Sequence, residues 1–299
     1  MEKPKLSIVI LNYNTGELLR GCLQSLYEIK NDLAFEVIVI DNDSSDDSEK
    51  LVYENFKWVT LLKNRTNLGF AKGNNRAKNI VKSEYILFLN SDTIVGKAVL
   101  GRCLTYFKKN KLGALSCKLL LPDGTTDRDA RRSFITPWIG LVHLFLKLDR
   151  VFPNSKLFAK YWYGYIPDDI TIQVDAIQGA FFLTSKNILD KVGWFDEDYF
   201  LDGEDVDLCW KIGKLGYKII YFPEVSIIHL KGATKGKNRL KKFISLSDRF
   251  KYRLSGVNSM EIFYRKRLWD EYPSYINYLV LLGIKILKLV RFIEVLVFK

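Results

Sequence analysis

Residues 6–14 read LSIVILNYN, and this stretch decides the fold that the sequence predicts. Its first six residues form an apolar run with the length and the Val, Ile and Leu content of a β-strand buried on both faces. Its last three residues, Asn12, Tyr13 and Asn14, are more polar and end the run. Similar apolar runs follow along the chain, and they are further predicted strands: residues 36–40, 58–62, 85–89 and 114–121.

Amphipathic stretches separate these runs and predict helices at residues 17–27, 45–55, 71–81 and 98–110. Regular strand–helix alternation is typical of an α/β fold with a mostly parallel central sheet flanked by helices. The pattern weakens over residues 127–172, which predicts a long, partly helical insertion. It then resumes with predicted extended segments and helices at residues 174–184, 186–192, 204–215, 218–222 and 226–230.

The composition narrows the class of protein. Of 299 residues, 48% are hydrophobic, which is too many for a disordered chain and enough for one large domain or two smaller ones. The 46 Lys and Arg residues exceed the 34 Asp and Glu residues by 12, which predicts an anionic partner: nucleic acid, phosphorylated substrate or anionic lipid. The four cysteines form no C-x-x-C pair and have no zinc spacing, so we expect a reducing compartment rather than a disulfide scaffold.

The C-terminal part has a different character. Residues 275–298 are strongly apolar, but Lys285, Lys288, Arg291 and Glu294 interrupt them. A membrane-spanning helix needs about 20 apolar residues, so these charges predict a helix that lies in the plane of the membrane surface. The alternative is a helix that packs on its own domain. Together with the basic run at residues 235–242, this divides the chain into a catalytic domain, 1–240, and a membrane-associating helical segment, 241–299.

Polar clusters follow three of the predicted strands: Asn12-Tyr13-Asn14, residues 41–46 (DNDSSD) and Asn90-Ser91-Asp92. The carboxyl ends of parallel strands meet at one edge of a sheet, where ligands of such folds bind. An Asp at this edge can accept hydrogen bonds from a nucleobase or a ribose, and Asp92 suits a divalent metal that bridges a diphosphate. The alternative interpretation is that these residues are ordinary turn and helix-cap residues.

A further acidic cluster lies at the predicted start of a helix, where Glu204, Asp205 and Asp207 follow Gly203. Aromatic residues precede it, and by desolvating a carboxylate they can raise its proton affinity, which suits a general base. The alternative is favourable charge at a helix N-terminus. His229 ends a predicted strand and could complete a metal site with Asp92, although a lone strand histidine is often structural. We assign no role to His143.

The order and spacing of these segments resemble glycosyltransferase family 2, with the GT-A fold, and within it the rhamnosyltransferase-like branch. The resemblance covers about residues 5–235. The segments that carry it are residues 7–14, 41–46, 67–75, 89–93, 179–182, 193–197 and 203–209, followed by His229.

The resemblance implies roles for individual residues. Asp205 matches the catalytic base, and Asp92 matches the last acid of an Asp-x-Asp metal motif, which His229 joins in some members. Asn90 replaces the usual first Asp, which removes one charge from the metal site. The remaining implied positions are donor-binding, namely Asn12, Asn14, Asp41, Asp43, Asn67, Gly73, Asn74 and Ser91, or on the acceptor side, namely Glu204, Gly179 and Trp194.

The function implied by the resemblance is an inverting, metal-dependent glycosyltransferase that uses Mg²⁺ or Mn²⁺. Its donor would be a dTDP- or UDP-sugar, with a deoxy-hexose such as rhamnose transferred to a lipid-linked or growing glycan. We expect it to lie on the cytoplasmic face of the membrane, attached peripherally to an anionic surface. One alternative is a UDP-hexose or UDP-HexNAc transferase of the same fold.

Two other classes remain as alternatives. A nucleotidyltransferase would need a Gly- and Arg-rich phosphate loop, which residues 12–20 do not supply. A non-enzymatic basic nucleic-acid-binding protein would fit the pI of about 9.3, but the sequence contains no recognition motif, so we expect no nucleic-acid partner.

Overall fold

The computed structural model describes residues 4–231 and 246–297, so the predicted basic run at 235–242 lies outside the described residues. The described strands are β1 (Leu6–Asn12), β2 (Phe35–Asp41), β3 (Thr60–Lys63), β4 (Tyr85–Leu89), β5 (Thr93–Ile94), β6 (Ala114–Leu120), β7 (Arg131–Arg132), β8 (Ile172–Gln173), β9 (Ala176–Ile177), β10 (Phe181–Ser185) and β11 (Ile219–His229). The α-helices are α1 (Gly16–Glu28), α2 (Ser48–Asn55), α3 (Phe70–Asn75), α4 (Val99–Lys109), α5 (Pro137–Gly140), α6 (Leu148–Val151), α7 (Lys186–Val192), α8 (Glu204–Lys214), α9 (Leu246–Phe263) and α10 (Ser274–Val297).

Within the described residues, nine strands form one sheet in the order β3-β2-β1-β4-β10-β6-β11-β5, with β8 paired to β11. Strands β3, β2, β1 and β4 are parallel, and so are β6 and β11, whereas β10 runs antiparallel between β4 and β6. The predicted α/β class with a mostly parallel sheet is confirmed. Because β10 is reversed, its first residues lie at the same edge as the carboxyl ends of β1, β4 and β11.

Two predicted elements differ from the structure. The helix predicted over residues 71–81 is the short α3 followed by a 3-10 turn, Arg76–Asn79, because Gly73, Asn74 and Asn75 are poor helix formers. The strands predicted at 218–222 and 226–230 are one strand, β11, whose register with β6 shifts between Phe222 and Ser226. Pro223 lies in that shift and has no N–H to donate to a neighbouring strand.

The helices after residue 245 pack on the preceding domain across the predicted boundary at 240/241. Arg267, in the π-helical turn Tyr264–Leu268 after α9, donates from Nε to the buried Asp207 of α8 at 2.7 Å. Ser255 and Ser259 of α9 both donate to the carbonyl oxygen of Leu201. Helix α10 packs against α9, and none of the helices described here has the length and apolarity needed to cross a bilayer.

Candidate functional site

A cleft of about 620 Å³ opens along the sheet edge formed by the ends of β1, β4 and β11 and the start of β10. Its walls combine residues from distant parts of the chain, which only the sheet order brings together. The sequence-predicted site residues that line it are Asn67, Ser91, Asp92, Gly179, Glu204, Asp205 and His229.

The polar ends of β1 and β2 form a hydrogen-bonded layer beneath this cleft. Asn12 donates from Nδ2 to Asp41 Oδ2 and to Ser44 Oγ, each at 3.1 Å, and Asp41 Oδ1 accepts from the Ser44 N–H at 2.9 Å. Asn14 Oδ1 accepts from the Ser45 N–H at 2.7 Å. Asn12 and Asp41 are fully buried and fix the shape of the loop rather than line the cleft, whereas Asp43 is exposed with a φ of +68°.

Asn42, between the two predicted aspartates, is a cleft residue that sequence reasoning missed. Its Nδ2 donates to Asn67 Oδ1 at 2.8 Å and to the Gly69 carbonyl at 3.2 Å. Its Oδ1 accepts from Asn64 Nδ2 and from the Leu68 N–H, both at 3.0 Å. The only sequence signal was its position directly after a buried strand. One buried amide thus fixes the loop that presents Asn67.

The loop after β3 joins the loop before α8 through a close backbone contact. Gly69 has a φ of +77°, and a Cβ there would lie 2.3 Å from the Phe200 carbonyl oxygen, so only glycine fits. The Phe70 N–H donates to that oxygen at 2.7 Å. This contact holds Asn67 on one wall of the cleft opposite the α8 carboxylates on the other.

Asp92 and His229 meet at the floor of the cleft. Asp92 Oδ1 is buried 3.4 Å from His229 Nε2 and has no hydrogen-bond partner among the described residues. His229 Nδ1 lies 3.0 Å from Asp127 Oδ2, so the carboxylate favours a proton on Nδ1 and directs Nε2 toward Asp92. A carboxylate oxygen without a partner beside an imidazole nitrogen is a donor set that suits a divalent cation. The described part of the chain holds no cluster of three or more such ligands.

Asp127 is a second residue that sequence reasoning missed, and it contacts both His229 and Lys231. Lys231 Nζ donates to Asp127 Oδ1 at 2.5 Å and also contacts Asp129. Burial would raise the pKa of Asp127, but hydrogen bonds from His229 and Lys231 lower it to about 2. Burial would lower the pKa of His229, but the flanking Asp127 and Asp92 raise it to about 9.

Asp205 is buried on the opposite wall, in the first turn of α8. Its Oδ2 accepts from Arg132 Nη2 at 2.7 Å and from the Gly179 N–H at 3.0 Å, and its Oδ1 accepts from the Val206 N–H at 2.7 Å. Arg132 comes from β7, inside the insertion, and sequence reasoning missed it. Burial alone would lower the pKa of Arg132, but the nearby charge of Asp205 raises it.

The other two acids of this cluster have different surroundings. Glu204 lines the cleft, its Oε2 has no hydrogen-bond partner among the described residues, and burial and the charges of Asp205 and Asp202 raise its pKa well above the usual range. Asp207 faces away from the cleft and accepts from Tyr199 and Arg267. The helix-start pattern alone could not separate these three roles.

The chain is similar in sequence to known glycosyltransferases. The family model described as "Glycosyl transferase family 2" matches residues 7–193, more than half of the chain. The chain belongs to glycosyl transferase family 2. Among similar proteins, N-acetylglucosaminyl-diphospho-decaprenol L-rhamnosyltransferase of Mycobacterium tuberculosis is 25% identical over 245 residues, which cover 78% of each chain. The O-antigen biosynthesis protein RfbC of Myxococcus xanthus is 24% identical over 78% of this chain, but the match covers only 18% of RfbC.

Solved structures share the fold of this family 2 chain. The mannosyltransferase PcManGT from Pyrobaculum calidifontis, in complex with GDP-Man and Mn²⁺, has a TM-score of 0.57 and 18% identity over 89% of this chain and 66% of its own. Residues 1–349 of S. aureus TarS in complex with UDP-GlcNAc have a TM-score of 0.53 and 18% identity over 85% and 66%. The expected GT-A fold is confirmed.

Besides Asn12, Asn14, Asp41 and Asp43, three residues that the family resemblance placed in the site do not line the cleft. Gly73 packs on Leu11, whose side chain would lie 2.6 Å from an added Cβ, and Asn74 donates to the Phe70 carbonyl within α3. Trp194 is buried in the core, packs edge-on against Phe88, and donates from Nε1 to Asp190. These contacts support the elements around the site, and the roles that the family resemblance implied for Gly73, Asn74 and Trp194 stay predictions for this family 2 member.

Proposed function

We propose that this family 2 chain is an inverting glycosyltransferase that moves a sugar from a nucleoside-diphosphate donor to a lipid-linked or growing glycan in polysaccharide synthesis. The observation that carries the proposal is the buried Asp205, which lines the same cleft as the polar strand-end residues Asn67, Ser91 and Asp92. Direct displacement at a sugar carbon requires a carboxylate that acts as the base and residues that bind the nucleotide. The cleft has the carboxylate on one wall and the nucleotide-binding residues on the other.

The donor side of the cleft is formed by the ends of β1, β2 and β4 and by the Asn67 loop. Asn42 and Asn67 line it. The Asn42 amide is fully used in holding the loop, so the Asn67 side chain is the amide that suits the base or ribose of a nucleotide. Asp41 lies beneath this surface and stabilises it by accepting hydrogen bonds from Asn12 and Ser44. The exposed Asp43 does not line the cleft wall, and we propose that it contacts the nucleotide from the rim of the cleft.

Asp92 and His229 are the residues that would hold a divalent metal. Asp92 Oδ1 has no hydrogen-bond partner in the described part of the chain, and His229 Nε2 is directed toward it at 3.4 Å. Bound Mg²⁺ or Mn²⁺ would stabilise the charge of the departing diphosphate. Mn²⁺ in the PcManGT complex supports this proposal for the fold. Asp127 would orient the imidazole through Nδ1, and Ser91 lies beside Asp92 at the same edge.

The acceptor side is formed by α8, Gly179 and Arg132. Among the described residues, the adjacent Val206 N–H is the only partner of Asp205 Oδ1, so this oxygen keeps a lone pair for a proton, whereas Oδ2 is held by Arg132 and Gly179. As the acceptor hydroxyl attacks the anomeric carbon, Asp205 Oδ1 takes its proton, the new C–O bond forms, and the bond to the diphosphate breaks. One displacement of this kind inverts the anomeric configuration.

The proposed sugar is a deoxy-hexose such as rhamnose, supported by the similarity to the mycobacterial L-rhamnosyltransferase. A UDP-HexNAc donor is the second candidate, because poly-beta-1,6-N-acetyl-D-glucosamine synthase of Staphylococcus epidermidis is 26% identical over 73% of this chain. A thermal-shift panel of dTDP-, UDP- and GDP-sugars with and without Mn²⁺ tests the proposal. We expect one nucleotide class to raise the unfolding midpoint, and more so with metal. No shift with any of them would contradict it.

We also propose peripheral attachment to the cytoplasmic membrane face through an apolar face formed by α10 and the helical residues 137–146. On α10, Leu279, Leu282 and Leu289 are exposed, and Phe145 of the neighbouring element touches Gly283. Two cations expected to face lipid head groups have protein partners: Lys288 pairs with Glu261 and Arg291 with Glu294. Apolar contact should therefore contribute more than charge.

Flotation with anionic liposomes tests this attachment on the full chain, because α10 packs against α9 and buries Ile284 and Val295. We expect the protein to float at low salt and Leu289→Glu to reduce the floating fraction severalfold. The matched control is Leu215→Glu, an exposed leucine at the end of α8. An unbound wild-type protein at low salt would refute the attachment, and resistance to both high salt and alkaline carbonate would refute its peripheral nature.

A further inference from the structure

A second cavity, of about 860 Å³, lies beside the active-site cleft and is almost entirely apolar. One wall is α5 with the following π-helical turn, Leu141–Leu146, and the other is formed by α9 and α10. Trp138, Leu141, Phe145, Leu282 and Ile286 line it, although each has more than 40% of its surface exposed. We call this cavity the apolar groove. Its volume is within the range of ~300–1,000 Å³ that is usual for ligand sites.

The apolar groove adjoins the active-site cleft. Arg132, Asp202 and Gly203 line both cavities, so they form the boundary at which a long ligand would pass from one to the other. Gly203 has a φ of +85°, and its Cβ position lies 2.9 Å from Ser259 Cβ of α9. The absence of a side chain there lets α9 approach α8 and brings the inner end of the groove next to Asp205.

Arg132 places a cation at this boundary. Its Nη2 is held by Asp205, but its buried Nε has no hydrogen-bond partner among the described residues. A guanidinium carries five N–H donors in a planar fork and can contact a carboxylate and a phosphate together. A buried N–H donor without a partner is costly, so this atom is a place where an anionic ligand group would gain a strong hydrogen bond.

These observations describe one class of ligand. A long apolar wall requires a hydrocarbon chain, the cation at its inner end requires an anionic group, and Asp205 beyond it requires a hydroxyl. We propose that the apolar groove binds the hydrocarbon chain of a lipid-phosphate-linked acceptor and that Arg132 binds its phosphate. This places the attached sugar next to Asp205. The proposal rests on the proposed function, which supplies the donor side of the reaction.

Binding of farnesyl phosphate to the full chain tests the proposal, with farnesol and inorganic phosphate as comparison probes in calorimetric titrations. We expect farnesyl phosphate to bind at least tenfold more tightly than farnesol, and inorganic phosphate to bind only weakly. Replacement of Arg132 by Gln should make farnesyl phosphate and farnesol bind alike. Equal binding of the two by the wild type would overturn the assignment of the phosphate to Arg132.

A variant that fills the groove tests the chain assignment. Gly256 of α9 lines the groove, and its Cβ position is 3.8 Å from the nearest atom, so Gly256→Leu should fold and lower farnesyl phosphate affinity at least tenfold. The control is Gly101→Leu on α4, where nothing lies within 4 Å. Leu141→Glu is a second variant with the same expected effect. Wild-type affinity in both groove variants would overturn the proposal.

The remaining outcomes separate this proposal from the proposed function and from other occupants. Nucleotide affinity should be the same in Gly256→Leu and wild type, because the donor side is untouched. If farnesyl phosphate binds as expected but no nucleotide-sugar binds, the proposed function is contradicted, whereas the assignment of the apolar groove to a phosphorylated lipid is supported. If lysophosphatidylglycerol displaces farnesyl phosphate at equal concentration, the groove is a membrane-lipid site and the acceptor assignment fails.

Discussion

The loops after β1 and β2, on the donor side of the cleft, and the acceptor side differ in how completely their polar groups are paired. On the donor side, Asn42 makes four hydrogen bonds and Asn12 is bonded to Asp41, Ser44 and Thr15. On the acceptor side, Glu204 Oε2 and Arg132 Nε are buried without a partner among the described residues. Buried polar groups are normally paired, so this difference is informative.

The difference indicates how each side is prepared for its ligand. The loops that contain Asn12 and Asn42 are fixed before the nucleotide arrives, because their polar groups bond to one another, whereas Asp92 Oδ1 is left for a metal. The acceptor side keeps donors and acceptors unpaired, at a cost in stability, and these are the groups that an incoming acceptor would satisfy. The donor-side groups should therefore matter for stability and nucleotide affinity, and the acceptor-side groups for turnover.

The largest expected effect is that of Asp205→Asn, which should lower turnover by about 10²–10⁴-fold because an amide cannot accept the hydroxyl proton. Nucleotide affinity should stay within about threefold of wild type, since the donor side is untouched. Steady-state rates with nucleotide titrations measure both quantities. The control is Asp198→Asn on the exposed loop before α8. Wild-type turnover in Asp205→Asn would remove its role as base.

The next largest effect concerns the floor of the cleft. Asp92→Ala should lower metal-dependent nucleotide affinity by about 10–100-fold, and His229→Ala should have a smaller effect because water and diphosphate oxygens can replace one ligand. Titration of the nucleotide with Mn²⁺ and with a chelator measures this. Wild-type affinity that does not respond to the chelator would exclude the metal assignment.

The contrast in pairing predicts unequal effects of two substitutions on stability. Asn42→Ala should lower the free energy of unfolding by about 2–4 kcal/mol, because it leaves several buried partners unsatisfied. Gln178→Leu, which removes a buried Oε1 without a partner among the described residues, should change it by less than about 1 kcal/mol. Urea unfolding measures both, with the exposed Asn110→Ala as control. Equal effects of Asn42→Ala and Gln178→Leu would refute the contrast.

The smallest expected effect is a change in pH dependence. The pKa of Glu204 is raised in the folded state by burial and by neighbouring acids. The unfolded chain therefore releases this proton at lower pH, so Glu204 lowers stability progressively as pH rises above about 4.5. Glu204→Gln should flatten the decline in unfolding midpoint between pH 5 and 8. A parallel decline in both proteins would contradict the raised pKa.

The sequence by itself determined the strands, most helices and the edge at which the site forms. Apolar runs such as residues 85–89 fix a buried strand, and the polar residues that end parallel strands must meet at one edge. The strand pattern therefore placed Asp92 at this edge, whereas the resemblance to the family placed Asp205 in the same site. These features follow from local periodicity, which a single chain segment carries within itself.

The partners of those residues depend on the tertiary structure. Arg132 meets Asp205 across 73 positions, and Asp127 meets His229 across 102, because the insertion folds back over the sheet edge. The same packing places Trp194 in the core and pairs Asp207 with Arg267. It also forms the apolar groove between α10 and the insertion. Local periodicity shows which face of an element is apolar, but which surface meets that face depends on the arrangement of the whole chain.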